Sequence, residues 1–233
     1  MPDPIQVTYD MTYGTLPVPT YTGYRFERWV DEYGRTVNAT TIVNIPKDHT
    51  LIAVWVPEDS MPFTVKHMLQ NISDNGYTLF DEETRYGQTD TVTAVEANSY
   101  EGFTAKTVAQ VNINGDGSAV VEIYYDRNIH TITWNIKSEI QTQSYRFGQV
   151  IDVPVATCAG YTFVGWDMTP PATMPDRSLT ITAQWKEASY TVTLNGNGGT
   201  DAGTVTVTYN SEYPVLPDSS RTGYTFAGWF TEA

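Results

Sequence analysis

One eight-residue signature occurs three times in the chain, and this repetition limits the fold more than any other feature of the sequence. The copies lie at residues 22–29, 159–166 and 222–229, and each has the order Gly-Tyr-x-Phe-x-x-Trp. A sequence repeat of this kind is one supersecondary unit that packs against its neighbours. The chain is therefore predicted to be a series of small modules. The shared residues are Gly23, Tyr24, Phe26, Trp29, Gly160, Tyr161, Phe163, Trp166, Gly223, Tyr224, Phe226 and Trp229.

The segments around the signature extend the repeat and set its boundaries. Two copies are followed by an alternating strand that ends in Ala-x-Trp, at Trp55 and Trp185. An opening strand is predicted at residues 129–134 and 190–194, but the first copy has no counterpart, and the last copy stops before a closing strand. These observations predict a partial repeat at 1–58, a complete repeat at 129–187 and a second partial repeat at 188–233.

Residues 59–128 are predicted to form a different module, which is also built from strands. Apolar or aromatic residues alternate at 63, 65, 67 and 69, as they do on one face of a strand. Further strands are predicted at 91–95 and 119–125, with a hairpin turn at the Asn-Gly-Asp-Gly sequence of residues 114–117. Short strands separated by turn signals predict a fold that is mainly β, or α+β.

The charge balance argues against two classes of partner. The formal net charge is −14, and eleven acidic against four basic residues give the middle module −7. A nucleic-acid backbone requires clustered Lys and Arg, so we expect no nucleic-acid partner. No apolar run approaches the roughly 20 residues of a membrane-spanning helix, so we expect no membrane insertion of this segment. With Cys158 as the only cysteine, no disulfide framework is predicted.

The signature, the Ala-x-Trp strand and the Asn-Gly-Asn-Gly-Gly sequence of residues 195–199 resemble the Listeria–Bacteroides repeat, the B-repeat type of internalin-like surface proteins. The resemblance covers residues 5–56, 129–187 and 188–233. The middle module is similar to the mucin-binding-type modules found between such repeats. The resemblance implies small β-grasp-like modules in an elongated array, in a secreted or wall-anchored bacterial protein, with no catalytic activity.

The repeated residues have two interpretations. An exposed Trp could stack on a sugar ring, but a module of about 58 residues buries little surface and needs large aromatic anchors. We therefore expect Trp29, Trp55, Trp166, Trp185 and Trp229 to lie in the cores, and the Gly that begins each signature to occupy a turn with positive φ. The first copy has Arg28 where the others have Gly before the Trp, so a backbone role of that Gly would be lost or moved there.

No catalytic, cofactor or metal site is predicted. Residues 112–117 have the oxygen-ligand spacing of a calcium loop, but the required twelfth ligand position is Ile123. The three histidines lie far apart in the sequence, and the carboxylate run at 81–83 is expected to be a solvated turn. Lys66 and Lys137 are candidates for intramolecular amide cross-links on strands.

These features predict a non-enzymatic stalk or adhesin segment on the outside of a bacterial cell, with its signal and anchor outside this fragment. The alternative is a module that binds carbohydrate or mucin directly. The candidate partners are a host glycan, a mucin or a surface protein. The incomplete end repeats also predict unpaired sheet edges, through which two molecules could associate head to tail.

Overall fold

The computed structural model describes residues 4–137 and 139–231, which form thirteen β-strands and no helix. The chain divides between Arg127 and Asn128 into two compact units. None of the described segments is a helix of the length and apolar character that a membrane crossing requires. The prediction of a mainly β fold made of small modules is thereby confirmed.

The first unit begins with a three-stranded antiparallel sheet. Its strands are β1 (Tyr24–Val30), β2 (Thr36–Val37) and β3 (Ile52–Pro57), in the order β2-β1-β3. A small core of Tyr13, Val37 and Val43 lies beside this sheet, with Trp29 packed against it. The first signature thus forms the central strand of its sheet.

The second sheet of this unit contains β4 (Met61–Gln70), β5 (Tyr77–Gly87), β6 (Phe103–Ala105) and β7 (Val120–Arg127), in the order β5-β4-β7-β6. The predicted alternation along β4 is confirmed, because residues 63, 65 and 67 are buried and their neighbours are less so. They face the buried residues 121, 123 and 125 of β7, which runs parallel to β4. The core of the middle module is therefore formed by two strands more than 50 residues apart in sequence.

The second unit repeats this arrangement. Its sheet contains β8 (Ile129–Ile136), β9 (Glu139–Arg146), β10 (Tyr161–Trp166) and β11 (Leu179–Glu187), in the order β10-β11-β8-β9. Seven buried residues form its core: Ile132, Trp134, Ile136, Tyr145, Ile151, Met174 and Ile181. A hairpin of β12 (Ser189–Leu194) and β13 (Gly203–Thr208) follows.

The two four-stranded sheets have the same connections. Each opens with an antiparallel hairpin, β4–β5 or β8–β9, and each closing strand, β7 or β11, runs parallel to the opening strand. In each, a shorter strand, β6 or β10, pairs with the outer side of the closing strand. The middle segment, which lacks the Trp signature, therefore has the topology of the second repeat.

A left-handed residue lies at an equivalent position in each module, and in the last three modules it comes two or three residues after the second strand. These residues are Asp10, Asp90, Gly148 and Asn210, with φ of 62°, 64°, 77° and 59°. Asp, Asn and Gly are the residues that tolerate this conformation best. The next residues form isolated bridges to a later loop in the first three modules, Thr12 to Ile42, Val92 to Asn112 and Val150 to Thr173. The same turn therefore recurs in all four modules, and it follows the second strand in the last three.

Two local predictions for the middle module are wrong. Residues 91–95 form one isolated bridge instead of a strand. The turn at residues 114–117 leads into β7, but β7 pairs with β4 and β6 instead of with the segment before the turn. The parallel pairing with the distant β4 takes the place of the local hairpin, and such pairing leaves no local sequence signal.

Candidate functional site

Each signature begins with the same four-residue turn. The amide of its Tyr donates to the carbonyl three residues earlier, over 3.0 Å from Tyr24 to Tyr21, from Tyr161 to Cys158 and from Tyr224 to Arg221. The intervening Gly23, Gly160 and Gly223 have φ of 81°, 79° and 82°. A positive φ at the third position is typical of a type II turn and favours Gly there.

The middle module contains a fourth example of this turn, at Tyr100-Glu101-Gly102-Phe103. The amide of Phe103 donates to Tyr100 over 3.1 Å, and Gly102 has φ of 77°. Gly102 and Phe103 thus stand where the repeats have Gly and Tyr. The sequence signal was present as Gly followed by an aromatic residue, but without the later Trp it did not identify the turn as part of the repeat.

The aromatic residues of each signature form a cluster on their sheet. In the first copy Phe26 lies opposite Trp55, with ring centroids 5.7 Å apart, and 5.4 Å from Trp29. In the second copy the equivalent distances from Phe163 are 5.6 Å to Trp185 and 5.2 Å to Trp166. The third copy retains the contact of Phe226 with Trp229, at 5.3 Å. Such tilted and edge-to-face pairs contribute about 0.5–1.5 kcal/mol each beyond their buried area.

The signature tryptophans are half-buried, while the fully buried tryptophan is Trp134. Trp29, Trp166 and Trp185 pack against the cores of their modules from the side. Trp134 lies in the opening strand β8, between β9 and β11, and its ring centroid is 4.9 Å from that of Trp166. Complete burial of a tryptophan is thus found in the opening strand of the second repeat and not at the repeated positions.

Two signature tryptophans are fixed by the Pro-rich connection before them. The indole Nε1 of Trp29 donates to the Pro17 carbonyl over 3.0 Å, and that of Trp229 donates to the Pro217 carbonyl over 2.8 Å. Both pairs are 12 residues apart. This equal spacing is visible in the sequence, and in these two copies it gives the extended segment before the signature a role in holding the indole. The Nε1 of Trp185 is buried and has no hydrogen-bond partner in the described part of the chain.

The bulge after Phe in the signature does not require Gly. The register of β1 and β3 shifts between Phe26 and Arg28, and that of β10 and β11 shifts between Phe163 and Gly165. Gly165 has φ of 152°, whereas Arg28 forms its bulge without a positive φ. The first copy therefore keeps the bulge although it has lost the Gly.

The histidines have separate structural partners. The ring of His49 lies 2.6 Å from the Tyr13 hydroxyl, the buried His67 lies 2.8 Å from the Tyr125 hydroxyl, and His130 lies 2.7 Å from an Asp176 oxygen. Within residues 4–137 and 139–231, no group of three or more His, Cys, Asp and Glu residues could hold a metal ion.

The candidate calcium loop is a closed turn. Asp116 Oδ1 accepts the Ser118 amide over 3.0 Å, and the Asn114 amide group donates to the Ser118 hydroxyl over 2.9 Å. The Gly117 amide donates to the Asn114 carbonyl over 3.1 Å. Asp116 Oδ1 and the Asn114 carbonyl oxygen are thus engaged in ordering the loop itself.

The carboxylate run at 81–83 lies within strand β5, so the expected turn is wrong. Alternate residues of a strand point to opposite faces. Glu83 pairs with Arg85 at 2.7 Å, and the hydrogen bond from Arg85 holds the pKa of Glu83 below its usual value. Glu82 lies 3.8 Å from Lys66, one of the candidates for an amide cross-link, while Lys137 lies in a turn after β8.

Comparison with known proteins identifies the repeats. Residues 2–54 and 190–233 match the Listeria-Bacteroides repeat domain, and residues 131–189 match the divergent InlB B-repeat domain. The chain is 34% identical over 113 residues to Internalin H of Listeria monocytogenes serovar 1/2a. That alignment covers 43% of this chain and 20% of Internalin H, so the chain matches about a fifth of this relative. The resemblance of the three repeats to this type of domain is thereby confirmed.

Proposed function

We propose that this chain is a non-enzymatic segment of a bacterial cell-surface protein, in which tandem modules space or present an adhesive region. The observation that carries the proposal is the succession of similar small sheets with almost no chain between them. Strand β11 ends at Glu187 and β12 begins at Ser189, so a single residue connects two repeats. The partial homology to Internalin H and the Listeria-Bacteroides repeats support an extracellular location.

A display experiment tests the spacer role. The chain is inserted between a cell-wall anchor and a peptide tag, and capture of the cells by antibody-coated beads is compared with binding of the soluble antibody. A spacer lifts the tag away from the cell surface, so bead capture should rise with one copy and rise further with two, while soluble antibody binding stays constant. Unchanged bead capture would refute the spacer role.

The alternative is direct binding of carbohydrate or mucin by the middle segment, as its resemblance to mucin-binding-type modules implies. The observation that favours this alternative is the exposure of two large aromatic residues on β5, Phe80 and Tyr86. An exposed aromatic ring can stack on the apolar face of a sugar. The net charge of −7 on this module disfavours anionic polysaccharides and leaves neutral glycans as the expected ligands.

Glycan and mucin arrays separate the two roles. If the spacer proposal holds, the isolated chain shows no saturable binding to any immobilised glycan. If the alternative holds, Tyr86→Ala should weaken saturable binding about fivefold or more, since aromatic stacking on a ligand contributes on the order of 1 kcal/mol or more. Tyr33→Ala is the matched control, because Tyr33 is similarly exposed but lies in the first module.

A further inference from the structure

Two of the signature glycines, Gly23 and Gly160, lie at positions that the next module approaches closely. A Cβ built on Gly160 would lie 2.5 Å from the ring of Tyr209, which belongs to the following repeat. A Cβ built on Gly23 would lie 2.1 Å from the Cα of Gly115, in the middle module. Real Cβ atoms do not approach other heavy atoms so closely. A side chain at either position would therefore force the neighbouring module to shift.

The same glycines accept a hydrogen bond from the residue that links two modules. The Gly23 carbonyl accepts the Glu58 amide over 2.9 Å, and the Gly160 carbonyl accepts the Ala188 amide over 2.9 Å. The linking residue in turn accepts from the module that follows, over 2.9 Å from Thr89 to Glu58 and over 2.8 Å from Tyr209 to Ala188. Each linking residue is therefore bonded on both sides.

The Tyr after each glycine completes the contact. The hydroxyl of Tyr24 donates to the carboxylate of Asp90, the left-handed residue of the middle module. The Thr89 hydroxyl adds a bond of 2.9 Å to the Gly23 carbonyl. In the second unit, the ring of Tyr161 lies edge-on to Tyr209, with centroids 5.5 Å apart. The Tyr of the signature thus contacts the following module through a hydrogen bond in the first unit and through an aromatic pair in the second unit.

From these contacts we infer that the Gly-Tyr turn of each repeat is the surface on which the following module docks. We call this contact between two modules the joint. The glycine is then required by the joint as well as by the turn. The partner that fits this surface is a module with a left-handed turn after its second strand, such as Thr89-Asp90 or Tyr209-Asn210. The joint also explains Gly115 in the candidate calcium loop, because a Cβ on Gly115 would lie 2.7 Å from the Thr22 carbonyl oxygen.

The chain offers a matched pair of substitutions that separates the two roles of the glycine. Gly160 and Gly223 have nearly equal φ, 79° and 82°, and occupy the same turn, so Ala strains the backbone equally at both. A Cβ on Gly223 meets no atom within 4 Å, whereas one on Gly160 meets Tyr209. Only Gly160→Ala should therefore disturb the joint.

Hydrogen exchange of the Ala188 and Tyr209 amides is the measurement, because both amides donate at this joint. We expect Gly160→Ala to accelerate their exchange at least about tenfold, while the amides shared by β8 and β9 keep their protection. Gly223→Ala should leave the Ala188 amide unchanged. If the two substitutions have equal effects on these amides, the glycine serves the turn alone and the inference is wrong.

A double substitution removes the remaining ambiguity. If the clash with Tyr209 is the cause, Gly160→Ala combined with Tyr209→Ala should lose less stability than the sum of the two single changes. Gly223→Ala combined with Tyr209→Ala should be additive, because Gly223 has no atom of Tyr209 within reach. Additive behaviour of the Gly160 pair would overturn the inference even if Gly160→Ala alone were poorly folded.

Discussion

Trp134 illustrates at the residue scale what a repeated signature does and does not reveal. The repetition drew attention to the tryptophans of the signature, yet they are half-buried and only Trp134 is fully covered. Trp134 lies on the central strand β8, but strand position alone does not set burial, because Trp29 on the central β1 and Trp185 on the central β11 are half-buried. Burial depends on packing between distant segments of the chain, so the sequence indicated which aromatic residues recur but not how deeply each one is buried.

We expect Trp134→Ala to destabilise the second repeat by about 3–5 kcal/mol, because it removes a fully buried aromatic side chain. Trp166→Ala should have a smaller effect, since Trp166 already contacts solvent. Exchange protection of the amides in β8 and β11 measures this module separately from the others, as a chain of several modules has no single unfolding equilibrium. An equal or larger effect of Trp166→Ala would contradict the assignment.

Asp31 orders the loop after β1. Its side chain is 4% exposed and accepts hydrogen bonds from the Tyr33 amide at 2.9 Å, the Arg35 amide at 3.0 Å and the Arg35 Nε at 2.7 Å. Desolvation raises the pKa of Asp31, but the hydrogen bonds from Arg35 and Tyr33 and the charge of Arg35 outweigh it, so its pKa lies below the usual value. The charged carboxylate is therefore the form that stabilises the loop.

The sign of the resulting pH dependence is fixed by this direction. A carboxyl group whose pKa is lower in the folded state stabilises the fold above its unfolded pKa, and this contribution disappears as the pH falls through the folded pKa. Asp31→Asn should therefore lower the unfolding temperature of the first module at pH 7, and the difference from the unsubstituted chain should shrink toward pH 3. A difference that is constant over this range would show that the charge of Asp31 is unimportant.

At the scale of elements, strands with a clear alternation were predictable and strands defined by distant partners were not. The alternation at residues 63–69 identified β4, and the apolar run at 119–125 identified β7, because each has one face in the core. The segment at 91–95 has similar composition but forms one bridge, since the later loop at Asn112 offers only one paired residue. The Gly-Tyr turn was also predictable, because a recurring Gly indicates a position with positive φ and each of these glycines has one.

The two bulges give a prediction at this scale. Gly165→Ala should destabilise the β10–β11 pair by about 1 kcal/mol, because Ala is strained at a φ of 152° although no atom lies within 4 Å of its Cβ. Arg28→Ala should have little effect on the β1–β3 pair, since Arg28 holds its bulge without a positive φ. Exchange of the amides in β10 and β1 compares the two. Equal losses would show that side-chain contacts, and not backbone strain, govern these bulges.

At the scale of the whole molecule, the module boundaries predicted from the sequence fall where the similarity between the repeats ends. Residues 59–128 lack the Trp signature, yet their four strands connect as those of the second repeat do. Different residues can give the same topology because the fold depends on the alternation of buried positions and on the turns at Asp90 and Gly102. These features do not require identical residues, so sequence similarity alone does not reveal them. The contacts at Gly23 and Gly160 depend on how closely the following module approaches, which one sequence does not show.

The third Gly-Tyr turn presents the docking surface without a module packed on it in the described residues. Tyr224 is 69% exposed, and a Cβ on Gly223 would meet nothing within 4 Å. The first module offers Tyr9, 53% exposed, followed by the left-handed Asp10, which are the counterparts of Tyr209 and Asp90. The hydroxyl of Tyr224 could donate to the Asp10 carboxylate of a second copy, as the hydroxyl of Tyr24 donates to the Asp90 carboxylate within the chain. A second copy of the chain therefore has the features that this surface fits.

We accordingly expect weak head-to-tail association, because the contact reproduces an internal joint but lacks the connecting residue that holds two modules at high effective concentration. A head-to-tail pair leaves one unpaired contact surface at each end, so further copies can add and the mean mass should continue to rise with concentration beyond that of a dimer. Sedimentation velocity over a hundredfold range of concentration measures this. Tyr224→Ser should reduce association, whereas Tyr213→Ser, which alters a tyrosine that is 57% exposed elsewhere in the third repeat, should not. A monomer at every concentration, or an equal loss with both substitutions, would show that the Gly-Tyr turn joins modules only within a chain.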